Sequence, residues 1–282
     1  MAGGRAEDPD HGVELLWRER EQEPRPGLSL TRIVRAAIEL ADAEGLDGLS
    51  MRKVAERLGF TTMSLYRHVP GRDQLVDLML DAVHGRAPSP AAAEDGWRTR
   101  LESCARRGWE LRRRHPWMAE VRGSRHLPGP RGIAAYDYML STVADTGLTP
   151  AQVIAAVNLV GRFVDAEALT LVETARQERH SGVSEQEWWG ARDALYQRLD
   201  RYPTLTALWE AGGYDEPVDP FEFGLARVLD GIEMLITAHR DETCDETCPM
   251  CGKSVERPAS GRPRVYCSRA CQQRAYRRRR DG

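Results

Sequence analysis

"LSMRKVAERLGFTTMSLYRHVPGRDQL" runs from Leu49 to Leu75 and holds two short helical patterns separated by one glycine. Ser50 is placed to cap the first, with Met51, Val54 and Leu58 on one face and Gly59 as its stop. Thr61 caps the second, which turns Leu65 and Val69 inward until Pro70-Gly71 breaks it. Two short helices meeting across a three-to-four-residue glycine turn predict a helix-turn-helix. The outward side of the second helix is small and polar: Thr61, Thr62, Ser64, Arg67 and His68, with Tyr66. Small side chains let a helix sink into the major groove, where hydroxyl and guanidinium groups reach base edges. Tyr66, His68 and Arg72 fall near the end of that helix and the start of the next, where phosphate contact is natural. Any helical hairpin with a polar surface has the same periodicity, so spacing alone leaves both readings open.

Upstream, Ser29 or Thr31 caps a longer helix with Ile33, Ala37, Leu40 and Ala41 on one face and Gly45 at its end. Residues 1–27, rich in Glu, Arg, Pro and Gly, read as a mobile arm with at most a short helix around Val13–Glu21. Downstream, a helix begins near Arg72 with Leu75, Leu78, Met79 and Ala82 together. A Pro/Ala-rich joint, APSPAAAEDG (Ala87–Gly96), follows. Beyond it the pattern predicts helices at about residues 96–115, 130–146, 150–180, 184–201 and 220–239. The last carries one apolar stripe of Leu225, Val228, Leu229, Ile232, Leu235 and Ile236. In the 150–180 segment Val153, Val157, Val160 and Val164 mark one face, Leu159 and Phe163 another, so that helix needs more than one partner. Strand alternation and repeats are absent, and the fold class is all-α.

The 282 residues leave room for two or three domains. The most apolar stretch, Pro150–Val172, is interrupted by Arg162, Asp165 and Glu167 and reads as a bundle helix, with no membrane span. The N-terminal MAGGRAEDPDHG has no apolar core of a signal peptide, so a cytoplasmic location with reduced thiols is expected. The net charge of −3 conceals an asymmetry: residues 50–72 carry +4 and residues 248–282 carry +8, on a body of −10 over residues 73–247. Positive charge gathered in two short segments suits local contact with a polyanion. No nucleophile elbow, P-loop, HExxH or clustered acidic site is present, so an enzyme is not expected. His115, His126, His180 and His239 lack paired-ligand spacing, and Cys104 reads as a packed thiol.

The segment from about Leu30 to Leu80 resembles the N-terminal domain of TetR-family transcriptional regulators, through "LSMRKVAERLGF", "SLYRHV" and "GRDQL". The resemblance implies that Arg52 and the surface from Thr61 through Thr62 and Ser64 to Arg67 read bases or nearby phosphates. It implies that Tyr66, His68 and Arg72 clamp the phosphate backbone. Arg72 stands where the family usually has Lys, and Gly71 where it often has Asn. Over residues 95–240 the likeness is weaker, carried by "WELRRRHPWMAEV" and "FEFGLARVLDGIEMLI". There it implies a helical domain that dimerises through about residues 150–175 and 220–239 and encloses a small-molecule effector of unknown identity. Six of the seven tryptophans lie between Trp97 and Trp209, a composition that fits an aromatic-lined cavity but also an ordinary core, and any single aromatic residue is more often core, so no ligand-binding residue is assigned. The implied function is a homodimeric regulator, a repressor released from its double-stranded DNA operator by a small molecule.

The C-terminal end adds "CPMCGKSVERPASGRPRVYCSRACQQRAYRRRR" (Cys248–Arg280). Cys248-x2-Cys251 and Cys267-x3-Cys271, fifteen residues apart, offer four thiolates in two tight pairs, which predicts a structural tetrahedral zinc site. Iron–sulfur ligation is the other metal reading, and Cys244 is a conceivable substitute ligand. The segment also resembles short zinc-binding modules appended to some bacterial regulators, through "YCSRACQQRAYRRR". A metal would let a segment this short fold and carry its arginines as a second polyanion contact, with a protein-binding knuckle as the alternative. The expected organisation is therefore an arm at 1–27, a helix-turn-helix domain at 28–74, a ligand-binding and dimerisation domain at 75–243, and a zinc module with a basic tail at 244–282.

Overall fold

A computed structural model describes residues 9–17, 27–85, 96–121, 126–244, 248–253, 255 and 265–280. The first helix, α1 (Pro9–Trp17), lies within the segment expected to be a mobile arm, and its Leu15 and Leu16 are buried. Residues 1–8 and 18–26 of that arm lie outside the described residues. Ser29 Oγ accepts the Arg32 amide and opens α2 (Leu30–Glu44), which buries Ile33, Ala37, Leu40 and Ala41. Ser50 Oγ accepts the Lys53 amide and opens α3 (Met51–Leu58), which Gly59 ends at φ 74°, a left-handed conformation that favours glycine. Thr61 then caps α4 (Thr62–Tyr66), and α5 (Arg72–Val83) follows.

These helices pool one core in which Ile33, Val54, Leu65, Val69, Leu75 and Leu78 are fully enclosed. Each such side chain contributes about 1.5–3 kcal/mol through burial. α5 supplies Leu75, Val76, Leu78 and Met79 to this core, so the packed unit around the helix-turn-helix continues past residue 74. It extends through α5, and the Pro/Ala-rich joint, mostly outside the described residues, comes after it.

The body is built from α6 (Trp97–Arg114), α7 (Trp117–Glu120), α8 (Pro130–Val143), α9 (Pro150–Ser181) and α13 (Pro220–Cys244), with α10 (Glu185–Gly190), α11 (Asp193–Tyr196) and α12 (Pro203–Glu210) between the last two. A reciprocal capping box of Thr149 and Gln152 starts α9, and its 32 residues make it about 48 Å long. Its valine face, Val153, Val157, Val160 and Val164, packs on Leu101 of α6 and on Leu225, Leu229, Ile232 and Ile236 of α13. α13 runs antiparallel to α9. Gly224 faces the Phe163 ring so closely that a Cβ would fall 2.5 Å from it, and further along His239 lies beside Gly147, just before α9. Among the described residues there is no strand, and no helix is long and apolar enough to cross a membrane.

Two expectations about the body need correction. Most of the stripe read on 220–239 as part of a subunit interface packs inside its own subunit: Leu229 is 1% exposed and Ile236 2%, with Leu235 the exposed exception at 38%. The outward side of α13 instead shows Phe223 and Met234, 54% and 74% exposed. The single helix expected over 184–201 is broken into α10, α11 and a 3-10 turn, and α12 was not anticipated. None of α10, α11 and α12 buries a residue, so no core contact holds that segment to one helical axis.

Candidate nucleic-acid interface and metal centre

The residues singled out on α4 divide into two kinds. Thr61 Oγ1 accepts the Ser64 amide at 3.2 Å and shares a hydrogen bond with Ser64 Oγ at 2.9 Å, so both shape the start of the helix. Tyr66 and Arg67 are exposed and Thr62 and His68 half-buried, while Leu65 beneath them is fully enclosed. Arg67 makes no ion pair among the described residues. Nearby cations do: Arg52 meets Glu56 at 3.6 Å, Lys53 meets Glu44 at 2.6 Å and Arg57 meets Glu39 at 3.1 Å. Exposed pairs of this sort contribute little, so Arg52, its side chain 79% exposed, can exchange its carboxylate for phosphate.

Arg72 behaves differently from the other proposed clamps. Its Nη2 donates to Leu46 O at 2.7 Å and its Nε to Leu49 O at 3.2 Å, tying α5 to the turn between α2 and α3. Part of its donor fork is therefore committed inside the protein. Two residues escaped the sequence reading. Met63 projects from α4 with 69% exposure, suited to a thymine methyl, and Phe60 lies 37% exposed beneath the Arg32 guanidinium. Met63 is legible afterwards as the residue that falls off the Leu65–Val69 spacing.

Two joints built on buried side chains connect this surface to the body. Trp117 of α7 is fully buried in the core of α2 to α5, and its Nε1 donates to Asp42 Oδ1 at 2.8 Å. His115 Nδ1 meets the same oxygen at 2.8 Å, and Glu120 accepts the Leu46 amide at 3.2 Å. At the second joint Asp81 of α5, 3% exposed, accepts the amides of Arg131 and Gly132 at 2.8 and 3.2 Å and so caps α8. Asp77 pairs with His126 Nδ1 at 2.6 Å; burial pushes its carboxyl up, against the pull of that histidine. Burial likewise raises the Cys104 thiol, although Arg107 donates to it at 3.2 Å.

Cys248, Cys251, Cys267 and Cys271 come together with all four Sγ atoms within 4.8 Å of one another. Cys251 and Cys267 stand 3.4 Å apart, and Cys271 is 3.7 Å from each. A disulfide would hold its sulfurs at about 2.05 Å. Four sulfurs at a Zn–S distance of about 2.3 Å around a tetrahedral ion lie about 3.8 Å apart, which these separations approach. The four cysteines can thus hold a metal ion. Burial resists ionisation of Cys248, but the backbone of Cys267 and Met250 and the neighbouring thiols outweigh it and lower it to about 6. Cys267, hydrogen-bonded to Cys251, is pushed up to about 12. The backbone of the first knuckle is pinned by Cys248 N donating to Lys253 O at 2.8 Å and Gly252 N donating to Cys248 O at 2.9 Å. From the second knuckle grows α14 (Arg269–Arg280). The side chain of Cys244 lies outside the described residues. An open cleft of about 580 Å³ also lies between the C-terminal part of α9 and α10, lined by Gln177, His180, Ser181, Trp188 and Trp189 among others.

A short capped helix that shows polar side chains above an enclosed leucine, joined to an all-helical body, is the arrangement of a helix-turn-helix protein. Residues 33–79 match the signature described as "Bacterial regulatory proteins, tetR family", and residues 89–236 match "Tetracyclin repressor-like, C-terminal domain". The chain is 40% identical over 238 residues to the HTH-type transcriptional repressor DrrR1 of Streptomyces coeruleorubidus, covering 82% of this chain and 88% of that one. It is 35% identical over 211 residues to an HTH-type transcriptional regulator of Saccharopolyspora erythraea, covering 72% and 84%. Among solved structures, the TetR family protein ActR of Streptomyces coelicolor in complex with actinorhodin superposes with a TM-score of 0.60 at 30% identity, covering 73% of this chain and 96% of that one. The chain belongs to the TetR family of transcriptional regulators. The two matched signatures end at residue 236, before the cysteine cluster.

Proposed function

We propose that this chain is a dimeric, cytoplasmic repressor that leaves its operator when a small molecule binds its helical body. The observation that carries the reading is α4: Tyr66 and Arg67 stand outward over a fully buried Leu65, with Arg67 free of any ion pair among the described residues. Arg67 and Thr62 read base edges, with Arg52 reaching bases or flanking phosphates. Tyr66 and His68 hold the phosphate backbone, and Arg72 adds its uncommitted N–H groups while fixing the turn beneath. Thr61 and Ser64 set the pitch of α4 as it enters the groove.

Dimerisation uses the apolar side chains that α9 and α13 leave outward, Ile154, Leu159, Phe223 and Met234, all at least 48% exposed. The complex of ActR with actinorhodin supports a small molecule as the effector class. Closing on such a molecule would move α6 and α8, and the Trp117–Asp42 and Asp81–α8 joints would pass that movement to α2 and α5. Couplings of this kind amount to about 1–3 kcal/mol, a change in operator affinity of roughly 5–150-fold. The test is a duplex carrying the gene's own upstream region, shifted by the purified chain and released by a small molecule. Binding no tighter than to unrelated duplex would reject the reading.

The metal is zinc, held by Cys248, Cys251, Cys267 and Cys271 in a closed structural site. The near-tetrahedral spacing of the sulfurs supports it. Four ligands leave no open position for catalysis, in keeping with a regulator rather than an enzyme. One zinc per chain by elemental analysis is expected, and its loss in a Cys267→Ser variant. A purified chain with iron in its place would overturn the zinc assignment.

A further inference from the structure

The cysteine module stands at the end of the body opposite the DNA-facing helices. Arg176, near the C-terminal end of α9, reaches Asp47 in the turn after α2 at 3.6 Å, so that end of α9 lies against the DNA-binding unit. Phe163, thirteen residues back, is level with Gly224 of α13, and α13 then climbs away for twenty residues to Cys244. At 1.5 Å per residue these stretches amount to about 20 and 30 Å, placing Cys244 about 50 Å from Asp47 along the bundle. His239 beside Gly147 agrees, because Gly147 lies just before the far end of α9. Only residues 245–247 separate Cys244 from Cys248, a reach of at most about 14 Å. A module tethered there does not touch the operator that α4 occupies.

α14 nevertheless has the chemistry of a nucleic-acid helix. Its inner side is Cys271 and Ala275, both buried, in a small cluster where Cys271 meets Cys248 and Val255. Its outer side shows Arg269, Gln273, Tyr276 and Arg277, all exposed; Arg278, seven residues after Cys271, is exposed where the helix runs past the buried pair, and the helix has no acidic residue. Some arginines of the body are matched to acids, Arg98 to Asp230 and Glu233, Arg106 to Glu102 and Glu222, Arg112 to Asp165, whereas others such as Arg162 and Arg179 pair with none among the described residues. Arg269, Arg277 and Arg278 have no such partner among the described residues. A twelve-residue helix with so little apolar surface does not persist alone in water, so the cysteine site is what holds these guanidinium groups in one array.

We propose that the metal-held α14 is a second binding site for the phosphate backbone of duplex DNA, distal to α4, so that the dimer bridges two segments of duplex. The proposal rests on the reading of α4 as the operator-binding helix. Duplex is the favoured polyanion because operator binding already places the body among DNA, and a sequence-independent arginine array needs only phosphates. The −10 body between the two sites keeps each basic surface from folding onto the other's duplex.

The test mixes the zinc-loaded full chain with two short duplexes of unrelated sequence, one carrying a donor dye and the other an acceptor, across a salt series. The full chain is expected to bring both dyes into one complex. An Arg269→Gln, Arg277→Gln, Arg278→Gln variant and a Cys271→Ser variant should lose at least tenfold of that signal while still binding one duplex. The triple variant should also flatten the log–log salt dependence of bridging by about 0.9 for each phosphate that it no longer neutralises. Bridging that survives both variants, or is absent while single-duplex binding and zinc content are intact, overturns the proposal. So does an RNA hairpin or an acidic protein that displaces the second duplex at equal concentration. Failure of the underlying reading shows separately, as binding of a duplex carrying the gene's own upstream region no tighter than of an unrelated one and unaffected by Arg67→Ala.

Discussion

Replacing Trp117 tests whether a helix of the body completes the core of the DNA-binding unit. The indole comes from α7, beyond the joint, yet it is 0% exposed among Ile33, Leu40 and Leu75 and donates to Asp42 at 2.8 Å. Trp117→Ala removes a fully buried aromatic and should cost about 3–5 kcal/mol. A unit of four short helices has a margin at the low end of the usual 5–15 kcal/mol, so most of its stability would go. Trp117→Phe keeps most of the packing and loses the charge-assisted hydrogen bond, about 1.5–3 kcal/mol. Hydrogen exchange read helix by helix is the assay. Trp117→Ala should speed exchange in α2 and α5 by roughly two to three and a half orders of magnitude, with Trp117→Phe between it and the parent. Amides around Leu229 in α13, which sit in the separate body core, should change little. Equal loss in both cores, or no change in α2, would refute the view that Trp117 completes the DNA-binding unit.

Met234→Arg should halve the mass seen by light scattering without lowering the melting temperature, because Met234 faces outward. Leu229→Ala should instead cost about 2–5 kcal/mol of body stability, read by urea unfolding, since Leu229 is enclosed within its own subunit. Arg67→Ala should change which base pairs are preferred by about 1–3 kcal/mol at one position, whereas His68→Ala should weaken all duplexes alike, as competition against a panel of operators would show. Arg72→Ala should lower both affinity and melting temperature, because it also frees the Leu46 and Leu49 carbonyls; lower affinity with an unchanged melting temperature would assign it to phosphate alone. Chelation should abolish the circular dichroism of α14 and leave the rest, since the two larger cores contain none of the four cysteines.

The DNA-binding unit was legible because its signals are local. Ser29, Ser50 and Thr61 each cap the helix they precede, and Gly59 takes the left-handed turn that its position demanded. The cysteine cluster was legible for the same reason: paired thiols at short spacing have few alternatives. What failed was long-range. The stripe from Leu225 to Ile236 is apolar whether it meets α9 of its own subunit or of another, and periodicity carries no information about which. Trp117 belongs to a core assembled from residues far upstream, which no window around it could reveal. The double role of Arg72 depends on the Leu46 and Leu49 carbonyls folding back to meet it. The segment after α9 was read as one helix over 184–201 from its periodicity, yet it buries no residue, and Trp188, Trp189 and Trp209 all remain over 40% exposed.

Sequence-specific DNA binding by α4 is the central claim, and selection from a random duplex pool by the purified chain tests it most directly. The account predicts enrichment of one inverted repeat whose half-sites face the same side of the duplex, as a twofold dimer requires. The same selection with Arg67→Ala should return a repeat altered at matched positions in both halves. A pool that stays random through successive rounds, while the chain remains folded, dimeric and metal-loaded, would contradict it.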